Sequence, residues 1–174
     1  MSMLEEISYD LKNPSGDRYT VKLIRDADKF LSEEMIDLLR ENHLSMWGIY
    51  LFRDGYEQDV TSMKTLLDIS STLRDFLIAN EGGMLYYICD DLTEVPMSNR
   101  HKDEGVRAEY YRDHLFSLLF EKSAQSTTET FCDTPIYIDA CGNTIYIHVL
   151  ARERHQRFVD LIKQNVNEGF SKPQ

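Results

Sequence analysis

The sequence predicts a single domain of mixed α/β (α+β) class: a mixed sheet of about six strands with a central βαβ unit and two β-hairpins, flanked by about four helices. Three observations carry this. Trp47 to Asp91 runs apolar strand, amphipathic helix, apolar strand without interruption. Residues 6–25 and 131–151 each hold two alternating apolar runs joined by a turn. A chain of 174 residues and 20.4 kDa is long enough to bury a core without disulfides.

In the first hairpin, Ile7, Tyr9 and Leu11 alternate with polar residues, Asn13-Pro14-Ser15-Gly16-Asp17 turns the chain, and Tyr19, Val21 and Leu23 alternate again. Phe30, Leu31, Met35, Leu38 and Leu39 then mark a helix ending near Asn42. Trp47 to Arg53 is apolar and aromatic on both alternating faces, as is Met84 to Cys89, so both are expected to be central strands covered on two sides. Between them Leu66, Ile69, Leu73, Phe76 and Leu77 give the buried stripe of a helix over about Ser62 to Ala79, a crossover that makes the two strands parallel. Residues 92–105 read as a surface loop. Ala108, Tyr111, Leu115, Leu118 and Leu119 mark a further helix from Val106 to Phe120. In the second hairpin Ile136 and Ile138 face Ile145, Ile147 and Val149, with Tyr146 and His148 on the opposite face. A last helix, about Glu153 to Glu168, is expected to bury Phe158, Leu161, Ile162 and Val166, and residues 171–174 to fray. Arg152, Arg154, His155 and Arg157 crowd its beginning, where positive charge opposes the macrodipole; they answer nearby carboxylates or bind an anion.

A formal charge of −11 and a pI near 4.8 argue against general nucleic-acid binding, which needs clustered Lys and Arg. The first residues lack the pattern of a signal peptide, and no segment has the roughly 18 consecutive apolar residues of a membrane helix, so a cytoplasmic protein is expected. Cys89, Cys132 and Cys141 form no CxxC and read as reduced core thiols. His43, His101, His114, His148 and His155 show no metal-ligand spacing, and no GxSxG, P-loop, HExxH or GxGxxG is present.

Parallel strands end at the same sheet edge, where open α/β sheets bind ligands. The strand-end segments carry Asp54, Glu57 and Asp59 on one side and Asp90, Asp91 and Glu94 on the other, a set of hard oxygen ligands suited to a divalent cation. Arg100, His101 and Lys102 of the following loop could close over them as a lid. The same acids also suit turns and helix caps, Asp59 or Thr61 capping the crossover helix.

The opening hairpin with Tyr9, Gly16 and Tyr19-Thr20-Val21, the strand Leu85-Tyr86-Tyr87-Ile88-Cys89-Asp90 and the helix from Arg112 to Phe120 resemble a family of small Bacteroides-type bacterial proteins that carries only a domain-of-unknown-function label. The resemblance implies a bacterial source and no activity. From Trp47 to Ala151 the order strand, helix, strand, helix, hairpin is similar to the closing half of the GNAT acyltransferase fold, which implies a coenzyme A site at the start of the first helix. The loop Gly55-Tyr56-Glu57-Gln58-Asp59-Val60-Thr61 lacks that family's glycines and adds two carboxylates that repel a pyrophosphate. The expected role is a non-catalytic protein-interaction or self-associating module. The alternative is a metal-dependent or GNAT-like enzyme at the carboxyl ends of strands 47–53 and 84–89. Its candidate catalytic residues are Asp90, Asp91 and His101, and its candidate metal ligands Asp54, Asp59, Asp90 and Asp91.

Overall fold

The computed structural model describes residues 4–12, 18–54, 63–89, 120–121, 128–140 and 142–171. The chain forms a six-stranded mixed sheet with strands β1 (Glu6–Lys12), β2 (Arg18–Ile24), β3 (Ser45–Asp54), β4 (Gly83–Cys89), β5 (Phe131–Ala140) and β6 (Asn143–Arg152). Their spatial order is β1-β2-β3-β4-β6-β5. β3 and β4 run parallel at the centre and every other neighbouring pair is antiparallel, so each hairpin forms one flank. Three α-helices of more than one turn lie among the described residues: α1 (Glu33–Glu41), α2 (Met63–Ala79) and α3 (Gln156–Ser171). Of the further helix expected over 106–120, residues 106–119 lie outside the described residues, while Phe120 and Glu121 are helical.

Two cores sandwich the sheet. On one face α1 and α3 close over Met46, Met84, Tyr86, Ile136, Ile138, Ile147 and Val149. On the other, Ile69, Leu73, Phe76 and Leu77 of α2 pack on Val21, Leu23, Trp47, Leu85 and Leu150. The alternation of each strand produces this division, since neighbours in sequence point to opposite faces. Hairpin registers follow from it: Tyr9 lies opposite Val21, Ile136 opposite Ile147 and Ile138 opposite Ile145.

Helix ends are set by side chains and by one unusual backbone. Ser32 Oγ accepts the Met35 N–H and so caps α1, and Asn165 of α3 holds Ser32 through two hydrogen bonds of 3.1 and 2.9 Å. At the other end His43 adopts φ 56°, the Leu44 N–H reaches Leu39 O (2.8 Å) and the His43 N–H reaches Arg40 O (3.0 Å). This is a Schellman closure with histidine where glycine is usual. Gly82 must be glycine for another reason: a Cβ there would sit 2.1 Å from His43 O.

Two expectations are corrected. β3 and β4 are not covered along their whole length: Leu51, Phe52 and Ile88 are 45, 50 and 43% exposed. Parallel pairing covers only Ser45–Gly48 with Gly83–Tyr86, and beyond it β3 follows β2 while β4 follows β6. In α3 the buried stripe is Phe158, Val159, Ile162 and Val166, and Leu161 is 39% exposed, because the face turned to the sheet is centred nearer Val159.

Candidate functional site

The carboxyl ends of β3 and β4, where the sequence places its acids, are where the two strands cease to pair. Asp54 is the last residue of β3. Asp59, Asp90, Asp91 and His101 lie outside the described residues, as do Glu57, Glu94, Arg100 and Lys102. Among the described residues no group of three His, Cys, Asp or Glu is placed to hold a metal ion.

A polar cluster stands at the divergence on the α1/α3 face. The Tyr50 and Tyr86 hydroxyls each donate to Asp26 (2.5 Å), and Lys29 Nζ donates to Asp26 (2.9 Å) and to the Tyr50 hydroxyl. Gly48 makes the cluster feasible, since a Cβ there would meet Tyr86 Oη at 2.8 Å, Asp26 Oδ1 at 2.9 Å and Tyr50 Cε2 at 2.9 Å. Burial pushes the Asp26 carboxyl up, but hydrogen bonds from Tyr50, Tyr86 and Lys29 and the Lys29 charge outweigh it and hold it below the usual carboxylate range. For Lys29 burial pulls downward, while hydrogen bonds to Tyr50 and Asp26 and the Asp26 charge raise it. Tyr86 is pushed far up, first by burial and then by Asp26, so its phenol stays protonated. The result is an ion pair clamped by phenols. It ties the 3-10 turn Ala27–Lys29, and α1 behind it, to the sheet.

The α2 face carries a second group. His148 is 2% exposed, with Nδ1 2.7 Å from Asp133 Oδ1 and its ring stacked on Tyr87 at 4.6 Å. Arg152, the last residue of β6, is buried on the same face, four residues further along the strand. Its guanidinium donates to Leu77 O, Ile78 O (3.3 Å) and Asn80 O (3.0 Å) at the carboxyl end of α2, and to Glu129 (2.5 Å). Arg154 pairs with Glu81 at 2.8 Å and Arg157 lies over the Phe158 ring. Arg152 and Arg154 therefore answer carboxylates and helix carbonyls of their own chain, and Arg152 sits at the end of α2 where the macrodipole favours a cation. The neighbouring His155 is kept below its usual value, by burial first and then by the charges of Arg154 and Arg152. Burial, with Glu153, raises the free Cys132 thiol.

The Asp26 cluster is closed within the chain, while in the second the buried His155 Nδ1 has no hydrogen-bond partner among the described residues. Other open features lie at the sheet's margins. Among the described residues β1 and β5 have a neighbouring strand on one side only. β1 has alternating exposure, with Glu6, Ser8, Asp10 and Lys12 outward and Ile7, Tyr9 and Leu11 half-buried against the α2-face core. β5 carries Pro135 at its middle, which cannot donate a ladder hydrogen bond. Leu51, Phe52, Ile88 and Tyr137 are exposed toward the carboxyl ends of β3 and β4. At the opposite end, a concavity of about 340 Å³ lies between α1 and the start of β3, floored by Ala27, Leu39, Leu44 and Met46 with Arg25 and Arg40 at its lip. A sequence reading misses it, because its walls come from three separate segments. Among the described residues no helix is long and apolar enough to cross a membrane. Comparison with protein-family models, with curated proteins and with solved structures finds no match.

Proposed function

We propose that this chain is a non-catalytic interaction module that works by self-association, a reading carried by the open, proline-free edge strand β1 with its half-buried apolar row. An unpaired strand edge is a template for another strand, and Ile7, Tyr9 and Leu11 gain cover if one arrives. The polar clusters support the reading in a second way. Asp26, Lys29, Tyr50 and Tyr86 satisfy one another, as do Arg152 and the end of α2, so their role is to stiffen the sheet. Light scattering across protein concentration tests it: a mass that rises with concentration supports self-association, and a mass fixed at 20.4 kDa refutes it.

One observation favours a second reading, an enzyme at the carboxyl edge. We read β3, α2 and β4 as one βαβ unit, and its strands part beyond Gly48 and Tyr86, with Asp54 at the end of β3. Crevices at such strand ends hold ligands in open α/β sheets. In this reading Asp54, Asp59, Asp90 and Asp91 hold a divalent cation with His101 as a lid base, or the edge takes coenzyme A. A thermal-shift panel with Mg²⁺, Mn²⁺, Ca²⁺, Zn²⁺ and acetyl-coenzyme A decides. A ligand at about 100 times its Kd adds roughly 2.7 kcal/mol. A metal-induced rise that is lost in Asp90→Asn/Asp91→Asn replaces the interaction reading with the enzyme.

A further inference from the structure

We infer that β1 pairs antiparallel with β1 of a second copy of this chain, centred on Tyr9, joining two six-stranded sheets into one. This rests on the self-association reading and specifies its surface. The Arg25 N–H donates to Glu5 O at 3.0 Å, continuing the β1–β2 register by one residue. The backbone groups of Glu5 therefore point inward at β2. Antiparallel ladders alternate, so Ile7, Tyr9 and Leu11 also bond inward, and Glu6, Ser8, Asp10 and Lys12 present their N–H and C=O groups to the open edge.

The sequence of that edge is self-complementary about Tyr9. Two antiparallel copies place Glu6 opposite Lys12, Ser8 opposite Asp10 and Ile7 opposite Leu11, with the two Tyr9 rings side by side on the symmetry axis. The outward residues meet outward residues as hydrogen-bonded pairs. Tyr9 meets Tyr9 as a non-hydrogen-bonded pair, the kind in which side chains approach closest. A two-fold axis normal to the sheet leaves the α2-side core of one copy continuous with that of the other. The half-buried Ile7, Tyr9 and Leu11 then line the join.

Other registers are worse. Sliding by two residues in one direction sets Glu6 against Asp10, and in the other Asp10 against Asp10. A slip of one residue puts Ile7 opposite Asp10 and turns the apolar rows to opposite faces. In-register parallel pairing opposes Glu6 to Glu6. Charge on an edge strand usually blocks pairing; here it selects one register. The other edge lacks this property, because Pro135 interrupts the donors of β5.

Sedimentation velocity on the full chain and its variants tests the inference. Wild type is expected to form a dimer as concentration rises. Ser8→Pro removes an outward donor that the fold does not use, and should give a monomer with unchanged circular dichroism. Glu6→Lys and Lys12→Glu each place like charges across both symmetric contacts, and each should weaken dimerisation about tenfold. Glu6→Lys also sets like charges against Lys22 within its own chain, where Glu6 forms an ion pair of 2.8 Å. Mixed in equal amounts, the two variants restore opposite charges at both contacts between the copies, and the mixture should dimerise about tenfold more tightly than either variant alone. That recovery keeps the test decisive even where Ser8→Pro disturbs the strand. A wild-type dimer indifferent to Ser8→Pro, or a mixture no tighter than its components, overturns the β1 pairing while self-association through another surface stands. A wild type that stays monomeric overturns both.

Discussion

Replacing Arg152 with methionine keeps most of the apolar stem and removes the guanidinium that closes the end of α2. The change removes the charged donor from Leu77 O, Ile78 O and Glu129, leaves Asn80 O with the Gly83 N–H (2.9 Å), and loses the cation stacked on Phe131 at 5.4 Å. A hydrogen bond to a charged group contributes about 1.5–3 kcal/mol. These bonds share one donor group and do not add, and the methionine also escapes the desolvation cost of a buried cation. Glu129 and the helix end regain water in part. The net loss is about 3 kcal/mol, a large fraction of the roughly 5–15 kcal/mol that holds a domain together. In urea, with a slope of about 2 kcal/mol/M, the midpoint should fall by about 1.5 M with the slope unchanged. Glu129→Gln, at a partly exposed position, should cost under about 1 kcal/mol. An Arg152→Met midpoint within about 0.3 M of wild type would refute the view that this guanidinium terminates α2.

Asp26→Asn should destabilise by about 1–3 kcal/mol, because phenols and an ammonium lose their carboxylate. Asp26 titrates lower folded than unfolded, so its contribution is complete above the ordinary carboxylate value near about 4 and disappears as pH falls through the lower folded value. The difference between variant and wild type should therefore shrink on the acid side, which urea titrations at several pH values read directly. His43→Gly should stabilise by about 0.5–1 kcal/mol, since the position keeps φ 56° and glycine adopts it without strain. In α3, Ile162→Ala should cost about 2–5 kcal/mol and Leu161→Ala under about 1 kcal/mol, a contrast in denaturation midpoints that reports which face meets the sheet.

The parts of the fold legible in the sequence are those written in short-range periodicity. The alternations Ile7-Tyr9-Leu11 and Tyr19-Val21-Leu23 foretell a hairpin with one buried face, and Ile69, Leu73, Phe76 and Leu77 foretell the face of α2. What periodicity does not carry is where neighbours stop. Leu51 and Phe52 look like core because the strand is apolar on both faces, yet the parallel partner has already diverged at Gly48. Leu161 fits a three-residue step as well as Val159 fits a one-residue step, and only packing on the sheet chooses between them. Arg152 reads as part of a helix start until β6 is seen to run through it. The Asp26 cluster joins residues 24 and 60 positions apart, beyond any local pattern. Its one trace in the sequence is Gly48, a glycine inside a strand, which marks a close approach. The β1 edge is different again: its antisymmetric order of charges is plain in the sequence, but carries meaning only once β1 is known to be an edge.

The most direct test of the account is the solution mass of the wild-type chain by light scattering from about 10 μM to about 1 mM at neutral pH and moderate salt. Self-association predicts a weight-average mass that climbs from 20.4 kDa toward twice that value. A mass that stays at 20.4 kDa over the whole range would contradict it.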